Sequence, residues 1–397
     1  MRIGVNCFLL QKNMGGLRQY FHTLFRELLA TDQENRYTFF YFEHNLEEME
    51  FIGNERWKEG AVLLKDQREV VLHFGRMDLY FCPFGAIWPR PVPIPSVLTL
   101  VDIQEKYYPQ FFTKQDLWNR GYHFDASTKA ADQVITISEY SKTSIAFHHR
   151  IPKSKIHVAY LSADDCFYQS FEEEQTRLEL PERFLFYPAN RWPHKNHDNL
   201  FRALVILKHE YHLSADCVLT GFDYENGYPL REKIDEYGLN GQVYILGYGK
   251  QHEIRYIYQK AVMLCFPSLF EGFGLPLLEA MAVGCPVVCS GETSIPEVVG
   301  EAALLFDPFD PNDIAEKIYR VWTTPELRET LANKGKEQAK KFSARKLAAR
   351  HLEVFRLAAQ SYRKRRYLYY HYVYEPLHAF RMHMKRREIQ KSDVASI

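Results

Sequence analysis

No stretch of this chain is apolar for long enough to cross a bilayer. The apolar start, Ile3 to Leu10, is broken by Asn6 and is too short even for a secretory leader. The expectation is a cytoplasmic protein. Net charge is lacking too: 50 Lys and Arg stand against 50 Asp and Glu, so no global field draws the chain to nucleic acid, and no such partner is expected. There is no repeat of solenoid length and no low-complexity linker. The seven cysteines (Cys7, Cys82, Cys166, Cys217, Cys265, Cys285 and Cys289) include no zinc-like spacing, and several sit in apolar runs. They read as buried free thiols in a reducing compartment. The 16 histidines gather no ligand set either. His148-His149, His194 with His197, and His209 with His212 read as satisfied polar or surface side chains. A G-x-G-x-x-G turn is also missing, since the first strand is followed by Met14-Gly-Gly-Leu-Arg-Gln-Tyr20, which counts against a dinucleotide-dependent oxidoreductase.

What is present is ordinary globular composition, 46% hydrophobic and 25% charged, over 397 residues. That length is too great for one core and suits two domains. Short apolar runs alternate with amphipathic stretches, the pattern of parallel sheets with crossover helices. A first series of strands is expected at Arg2–Cys7, Thr38–Phe42, Leu79–Cys82, Ser96–Val101 and Gln133–Ile137, with a helix over Leu17–Ala30. A second runs through Phe184–Pro188, Ala215–Thr220, Val243–Leu246, Val262–Phe266 and Pro286–Cys289, with helices at Leu200–Tyr211 and Asp313–Trp322. Between them lies a polar stretch, Ile151–Leu180, ending in the acidic cluster Glu172–Glu174. The expected organisation is therefore a doubly wound α/β domain over 1–170, a second over 171–342, and a helix with a tail over 343–397. Two such sheets place their ligand sites outside the carboxyl ends of the strands, facing a cleft. In the last segment, Ser343 suits an N-cap, and Leu347, Ala348, Leu352, Phe355 and Ala359 form an apolar stripe.

Charge is uneven along the chain. Residues 361–397 hold nine Lys and Arg against three Asp and Glu, leaving 41 against 47 in the first 360. Basic runs at Arg363–Arg366 and Lys385–Arg387 flank Tyr367, Tyr369, Tyr370, Tyr372 and Tyr374. Such a tail either makes peripheral contact with an anionic membrane surface or is a solvated helix packing some tyrosines on the body.

The segment Ser268-Leu-Phe-Glu-Gly-Phe-Gly-Leu-Pro-Leu-Leu-Glu-Ala-Met-Ala-Val-Gly284 carries the chemistry. A buried strand ends near Pro267, a glycine-bearing loop follows, Pro276 suits the first turn of a helix and Gly284 its stop. The helix N-terminus suits a diphosphate, and Gly272 and Gly274 let the backbone approach it closely. Glu279 is placed to accept hydrogen bonds from ribose hydroxyls, and Glu271 stands where a donor sugar would lie. Taken singly, Glu279 reads first as a partner of the helix dipole, and Glu271 as a solvated loop acid. The whole strand–loop–helix pattern favours a pyrophosphate-linked ligand with hydroxyl-rich groups on both sides.

The spacing Glu271…Glu279 within Phe-Glu-Gly-Phe-Gly-Leu-Pro-Leu-Leu-Glu-Ala-Met-Ala resembles the E-x7-E motif of retaining GT-B glycosyltransferases, in particular glycosyltransferase family 4. The resemblance runs from about residue 2 to about residue 357. Phe186-Tyr-Pro-Ala-Asn-Arg-Trp-Pro-His-Lys-Asn-His197 is similar to the family's donor-phosphate segment, and Gly291-Glu-Thr-Ser-Ile-Pro-Glu297 to the region after its binding helix. The resemblance implies two Rossmann-like domains and metal-independent transfer of a sugar from a nucleotide-diphosphate donor. It implies that Glu271 contacts the donor sugar, Glu279 the ribose, and the backbone at Phe273, Gly274 and Leu275 the diphosphate and sugar. Lys195, aided by Arg191, would neutralise the departing diphosphate, two cations opposite a developing charge. Gly15 and Gly16 are similar to the glycine loop that approaches donor phosphates or acceptor, although such a pair also suits a plain strand-to-helix turn. Base and sugar would be read near Gly247-Tyr248. The acceptor, a glycan or lipid-linked glycan by analogy, belongs to the N-terminal domain, and a lipid-linked acceptor would place the enzyme at the inner face of the membrane.

One position departs from the family. In Thr99-Leu-Val-Asp-Ile-Gln-Glu-Lys-Tyr-Tyr-Pro109, Asp102 matches the family's His-Asp pair, but Val101 replaces the histidine. Either another side chain such as His123 or Tyr107 substitutes, or the donor needs an apolar contact there, or the protein binds donor without turnover. The alternative to an enzyme is thus a catalytically weak nucleotide-sugar-binding subunit supporting a partner transferase.

Overall fold

The first sheet is built from seven parallel strands: β1 (Arg2–Asn6), β2 (Arg36–Tyr41), β3 (Ala61–Leu63), β4 (Leu79–Cys82), β5 (Ser96–Thr99), β6 (Gln133–Thr136) and β7 (Ile156–Val158). Their spatial order is β3-β2-β1-β4-β5-β6-β7, with Ile3 in register with Tyr37 on one side and Leu79 on the other. The second sheet has six parallel strands: β8 (Phe184–Pro188), β9 (Asp216–Thr220), β10 (Val243–Ile245), β11 (Met263–Phe266), β12 (Val287–Ser290) and β13 (Ala303–Phe306). Its order is β10-β9-β8-β11-β12-β13. The central strands β4, β5, β11 and β12 are buried at every residue, which is why they read as unbroken apolar runs rather than alternating ones. These are the two Rossmann-like sheets expected from the strand–helix alternation. The computed structural model describes residues 1–169, 178–221 and 227–394, and the side chains of all of these but 13 and 387–394. The boundary expected near 170 and the acidic cluster at 172–174 lie outside the described residues.

The chain divides into one unit of Met1–Leu161 with Ala344–Ile397 and another of Ser162–Ser343. The C-terminal segment, expected to stand apart as 343–397, therefore joins the N-terminal unit from Ala344 onward. Its helix Ala344–Ser361 buries Leu347, Ala348, His351, Val354, Phe355 and Ala358 against β4, β5, β6 and the helix Gly16–Thr31. This stripe corrects the one drawn from apolarity alone: His351 is in it, Leu352 is half-buried and Ala359 is exposed. His351 Nδ1 donates to Leu347 O at 2.8 Å, so in the neutral ring Nε2 accepts from the Tyr20 hydroxyl at 2.7 Å. Tyr20 Oη also lies 2.9 Å from Thr99 Oγ1, joining both helices to β5 through one buried polar chain.

Burial pushes His351 down from 6.5 to about 4. On acidification the unfolded chain takes up this proton first, so stability is lost as pH falls from 6.5 toward 4. His123 and His149, also pushed to about 4, act in the same direction. A His351→Gln variant, which can still accept from Tyr20, is expected to melt lower at pH 7.5 but to lose less melting temperature than the parent between pH 7.5 and 5. Differential scanning calorimetry across that range reads both slopes.

All seven cysteines are free, and all but the half-buried Cys166 are buried. No helix among the described residues is long and apolar enough to cross a membrane.

Candidate functional site

In the second sheet the chain runs β8 to β9 to β10 in one direction, then returns past β8 to β11, β12 and β13. The reversal leaves a topological switch point between β8 and β11, where a crevice opens at the carboxyl ends of the strands. Both segments singled out in the sequence emerge there. After β11 the loop turns into the helix Leu275–Val283 through Gly274, whose φ is +96°. A Cβ on Gly274 would sit 2.8 Å from Leu277 Cδ1, so the turn needs glycine for both conformation and space. Pro276 stands in the first turn, where its missing N–H costs nothing, and Gly284 closes the helix in the left-handed conformation at φ +81°. The positive end of this nine-residue helix lies at the switch point.

The loop acid is held by its backbone. Glu271 N donates to Thr293 Oγ1 at 3.1 Å, and Glu271 O accepts from Ser294 Oγ at 2.9 Å. The region Gly291–Glu297, quoted in the sequence without a role for its hydroxyls, is thus the clamp on this loop. From the other side, Asn196 adopts a left-handed conformation at φ +59° and its Nδ2 donates to Pro267 O at 3.0 Å and Pro308 O at 2.8 Å. Leu269 N donates to His194 O at 2.8 Å, and the Tyr187 hydroxyl donates to Lys195 O at 2.7 Å. These bonds staple the Pro193–Lys195 turn onto the β11 loop. Lys195 Nζ then reaches Glu271 Oε1 at 2.5 Å, with the two side chains 18% and 12% exposed. The sequence assigns these residues separate tasks; the structure makes them one ion pair.

Glu279 is buried on the same helix, and its Oε2 lies 3.1 Å from the Tyr258 hydroxyl, which is also 3.1 Å from Pro276 O. Burial and the Glu279 charge push Tyr258 well above its ordinary value, so it remains a donor. Arg191 and Tyr248 meet in a cavity of about 370 Å³ at the ends of β8, β9 and β10, shared with Thr220, Gly221, Arg231 and Gly247. Gly221 N donates to Gly247 O at 2.9 Å. A Cβ on Gly221 would fall 2.5 Å from Ala189 O at a φ of +144°. Gly221→Ala is expected to cost about 1–3 kcal/mol in urea unfolding, through backbone strain at the cavity wall.

His197 corrects one reading. Its pattern in the sequence suits a satisfied polar or surface side chain, but it is buried, its ring 5.2 Å from that of Tyr187 and 5.8 Å from that of Tyr228, and neither ring nitrogen has a hydrogen-bond partner among the described residues. Burial, then the charges of Lys195 and Arg191, push its pKa to about 3, so it is neutral and adds no charge beside the two cations. His149 is likewise buried, 3.4 Å from Asp125 Oδ1. His212 lies past the end of the helix His197–His209 in a left-handed turn at φ +52°. Among the described residues no three His, Cys, Asp or Glu side chains gather as a metal-binding set.

The N-terminal unit has its own switch point, between β1 and β4. Gly15, at φ +53°, turns the chain into the helix that starts at Gly16, and a Cβ there would meet nothing within 4 Å. Asp102, past β5, accepts from Gln104 N at 3.2 Å, and Val101 O accepts from Thr136 Oγ1 at 3.2 Å. A cavity of about 410 Å³ opens among Asn6, Phe8, Trp88, Arg120, His123 and Phe124. Of the two side chains considered in place of the missing histidine, His123 lines this cavity, held neutral at a pKa of about 4 by burial and by Arg90 and His378. The Tyr107 hydroxyl instead donates to Ser144 at 2.8 Å.

The family model described as glycosyl transferases group 1 matches residues 168–338. The O-antigen chain mannosyltransferase RfbU of Salmonella typhimurium is 30% identical over 258 residues, 65% of this chain and 68% of that protein. The chain belongs to the group 1 glycosyltransferases. The Escherichia coli O-antigen chain mannosyltransferase B is 28% identical to this group 1 glycosyltransferase over 267 residues, 66% of this chain and 70% of that one. The crystal structure of Anabaena HepE with UDP-glucose matches it with a TM-score of 0.72 at 19% identity, covering 89% of this chain and 99% of that one. WaaG, a glycosyltransferase involved in lipopolysaccharide biosynthesis, matches with a TM-score of 0.66 at 15% identity, covering 89% and 99%. At those identities the likeness is one of fold, and the fold of this group 1 glycosyltransferase is GT-B.

Proposed function

We propose that this chain is a retaining, metal-independent glycosyltransferase that moves a sugar from a nucleotide-diphosphate donor to a glycan or lipid-linked acceptor in cell-surface polysaccharide synthesis. The observation that carries the reading is the Lys195–Glu271 pair at the switch point, beside the N-terminus of the Leu275–Val283 helix. A diphosphate at that terminus is a stronger partner for Lys195 than one carboxylate, so donor binding draws Lys195 to phosphate and leaves Glu271 to the sugar hydroxyls. The backbone at Phe273, Gly274 and Leu275 meets the diphosphate, Glu279 the ribose, and the cavity with Arg191 and Tyr248 the nucleoside side of the donor. As the bond from the anomeric carbon to the phosphate oxygen breaks, Lys195 and Arg191 stabilise the developing charge. The acceptor oxygen bonds to the same face of the sugar and passes its proton to the departing phosphate. Mannose is the first sugar to test, since the relatives RfbU and mannosyltransferase B are named for its transfer. The acceptor is assigned to the N-terminal unit, with the His123-lined cavity as its site. In this reading the enzyme works in the cytoplasm at the inner face of the membrane.

The test is transfer from radiolabelled nucleotide sugars to a membrane extract, with the product linkage read by NMR. One donor is expected to label an acceptor with its anomeric configuration kept, at the same rate with and without EDTA. Inversion, or loss of transfer in EDTA, overturns the mechanism. Val101 favours the second reading, a subunit that binds donor without turnover, because valine offers no hydrogen bond where the family has histidine. Tight donor binding with neither transfer nor donor hydrolysis would establish that reading instead.

A further inference from the structure

The C-terminal tail has two unlike faces. After Ser361 it forms a helix Lys364–Tyr369, a π turn Tyr370–Tyr374 and a helix Glu375–Val394, lying along the helix Lys114–Ala130. The packed face is specific. The Tyr374 ring stacks on His378 at 5.5 Å, and His378 on Tyr122 at 5.4 Å. Trp118 Nε1 donates to Met382 O at 2.8 Å. Glu375 pairs with Arg90, whose side chain is only 2% exposed, and Arg366 donates to Asp132 and to Lys129 O and Ala131 O. The tail is therefore a docked element of the N-terminal unit.

The opposite face is bare. Tyr369, Tyr372, Val373, Leu377, Phe380 and Met384 recur at helical spacing and are between 43% and 70% exposed. Lys364, Arg365, Arg381 and Lys385 are exposed beside them. A contiguous apolar stripe of this kind on a firmly held helix marks an interaction surface. Its partner must be both apolar and anionic, because the exposed charges flanking the stripe, Lys364, Arg365, Arg381 and Lys385, are all basic. A second copy of the same face would bring like charges together. An anionic bilayer offers both properties at once: headgroups for the cations and the acyl boundary for the aromatic and aliphatic side chains.

We propose that the face from Tyr369 to Met384 docks this protein, peripherally, on anionic phospholipid membranes. The inference deepens the membrane-side location in the proposed function and rests on it for its meaning. The Lys114–Ala130 helix that holds the tail through Trp118 and Tyr122 also lends Arg120, His123 and Phe124 to the 410 Å³ cavity. One helix thus joins the docked tail to the wall of that cavity.

Vesicle sedimentation of the full chain tests this, with phosphatidylcholine alone and with one third phosphatidylglycerol. The parent is expected to bind the mixed vesicles at least tenfold better than the neutral ones, and less well at high salt. The L377E/F380E variant is expected to lose at least tenfold, and R381Q/K385Q about fivefold for each charge removed. Each variant is to match the parent in melting temperature and in binding nucleotide sugar in solution. Vesicle binding that is equal for parent and variants, or indifferent to lipid charge, overturns the proposal. So does self-association of the full chain that L377E/F380E abolishes, without vesicle binding. Failure of all forms to bind any nucleotide sugar is a separate result, which counts against the enzymatic reading and leaves the docking face standing.

Discussion

Replacing Glu271 by alanine is expected to lower kcat/KM by at least about 10³-fold with a melting temperature within about 3 °C of the parent. The two halves of this expectation come from different parts of the residue. The loop is fixed by backbone bonds to Thr293 and Ser294, which the substitution leaves alone. The carboxylate's ion pair is with Lys195, which is 18% exposed and opens on the crevice, so water can solvate the ammonium once the carboxylate is gone. Glu271→Gln sharpens the test. Its amide oxygen can still accept from Lys195, so the local geometry survives while the charge is lost. A drop comparable to that of alanine assigns the effect to charge; near-parent activity in either variant removes Glu271 from the site.

The second large effect is expected at Lys195. Lys195→Ala should reduce kcat/KM by about 10²–10³-fold and weaken binding of the bare nucleoside diphosphate by at least tenfold, because the ammonium acts on the diphosphate rather than on the sugar. Lys195→Arg should recover little. The site holds a compact point charge about 5.8 Å from the Phe266 ring centroid, between a stapled turn and Glu271, and leaves poor room for a planar fork. Because Lys195 and Glu271 contact each other, the double alanine variant should lose much less than the product of the two single losses. Strictly multiplicative losses would mean that the two act independently, against the exchange of partners on donor binding.

Much of this arrangement was legible in the sequence, and the gaps have common physical causes. The strands anticipated within a residue or two include the inner strands of both sheets, where burial on both faces writes a continuous apolar run. The three unanticipated strands, β3, β7 and β13, are all at sheet edges. They are short and only partly buried, so their signal is weak: β13 reads Ala-Leu-Leu-Phe with only Phe306 buried. His351 was overlooked because histidine counts as polar in a helical stripe, yet Tyr20 and Leu347 satisfy both ring nitrogens. At the site, glycine, proline and carboxylate spacing was enough to place the loop and helix at Glu271–Gly284, since those residue types act through local backbone geometry. The ion pair itself joins residues 76 apart, and no spacing rule reaches that far. Arg231, on the wall of the cavity with Arg191, carried no local signal either. The docked tail is the same kind of case: its tyrosine and arginine runs were visible, but only the fold separates Tyr370, Tyr374 and His378, which pack inward, from the bare stripe.

The most direct measurement of the central claim is calorimetric titration of the parent, Lys195→Ala and Glu271→Ala with a nucleoside diphosphate and with its sugar-bearing form, across the common bases. The account expects the parent to bind one pair and to favour the sugar-bearing member. Lys195→Ala should weaken both members alike, and Glu271→Ala should keep the bare diphosphate while losing the preference for the sugar. Parent-like binding of both ligands by both variants would contradict it.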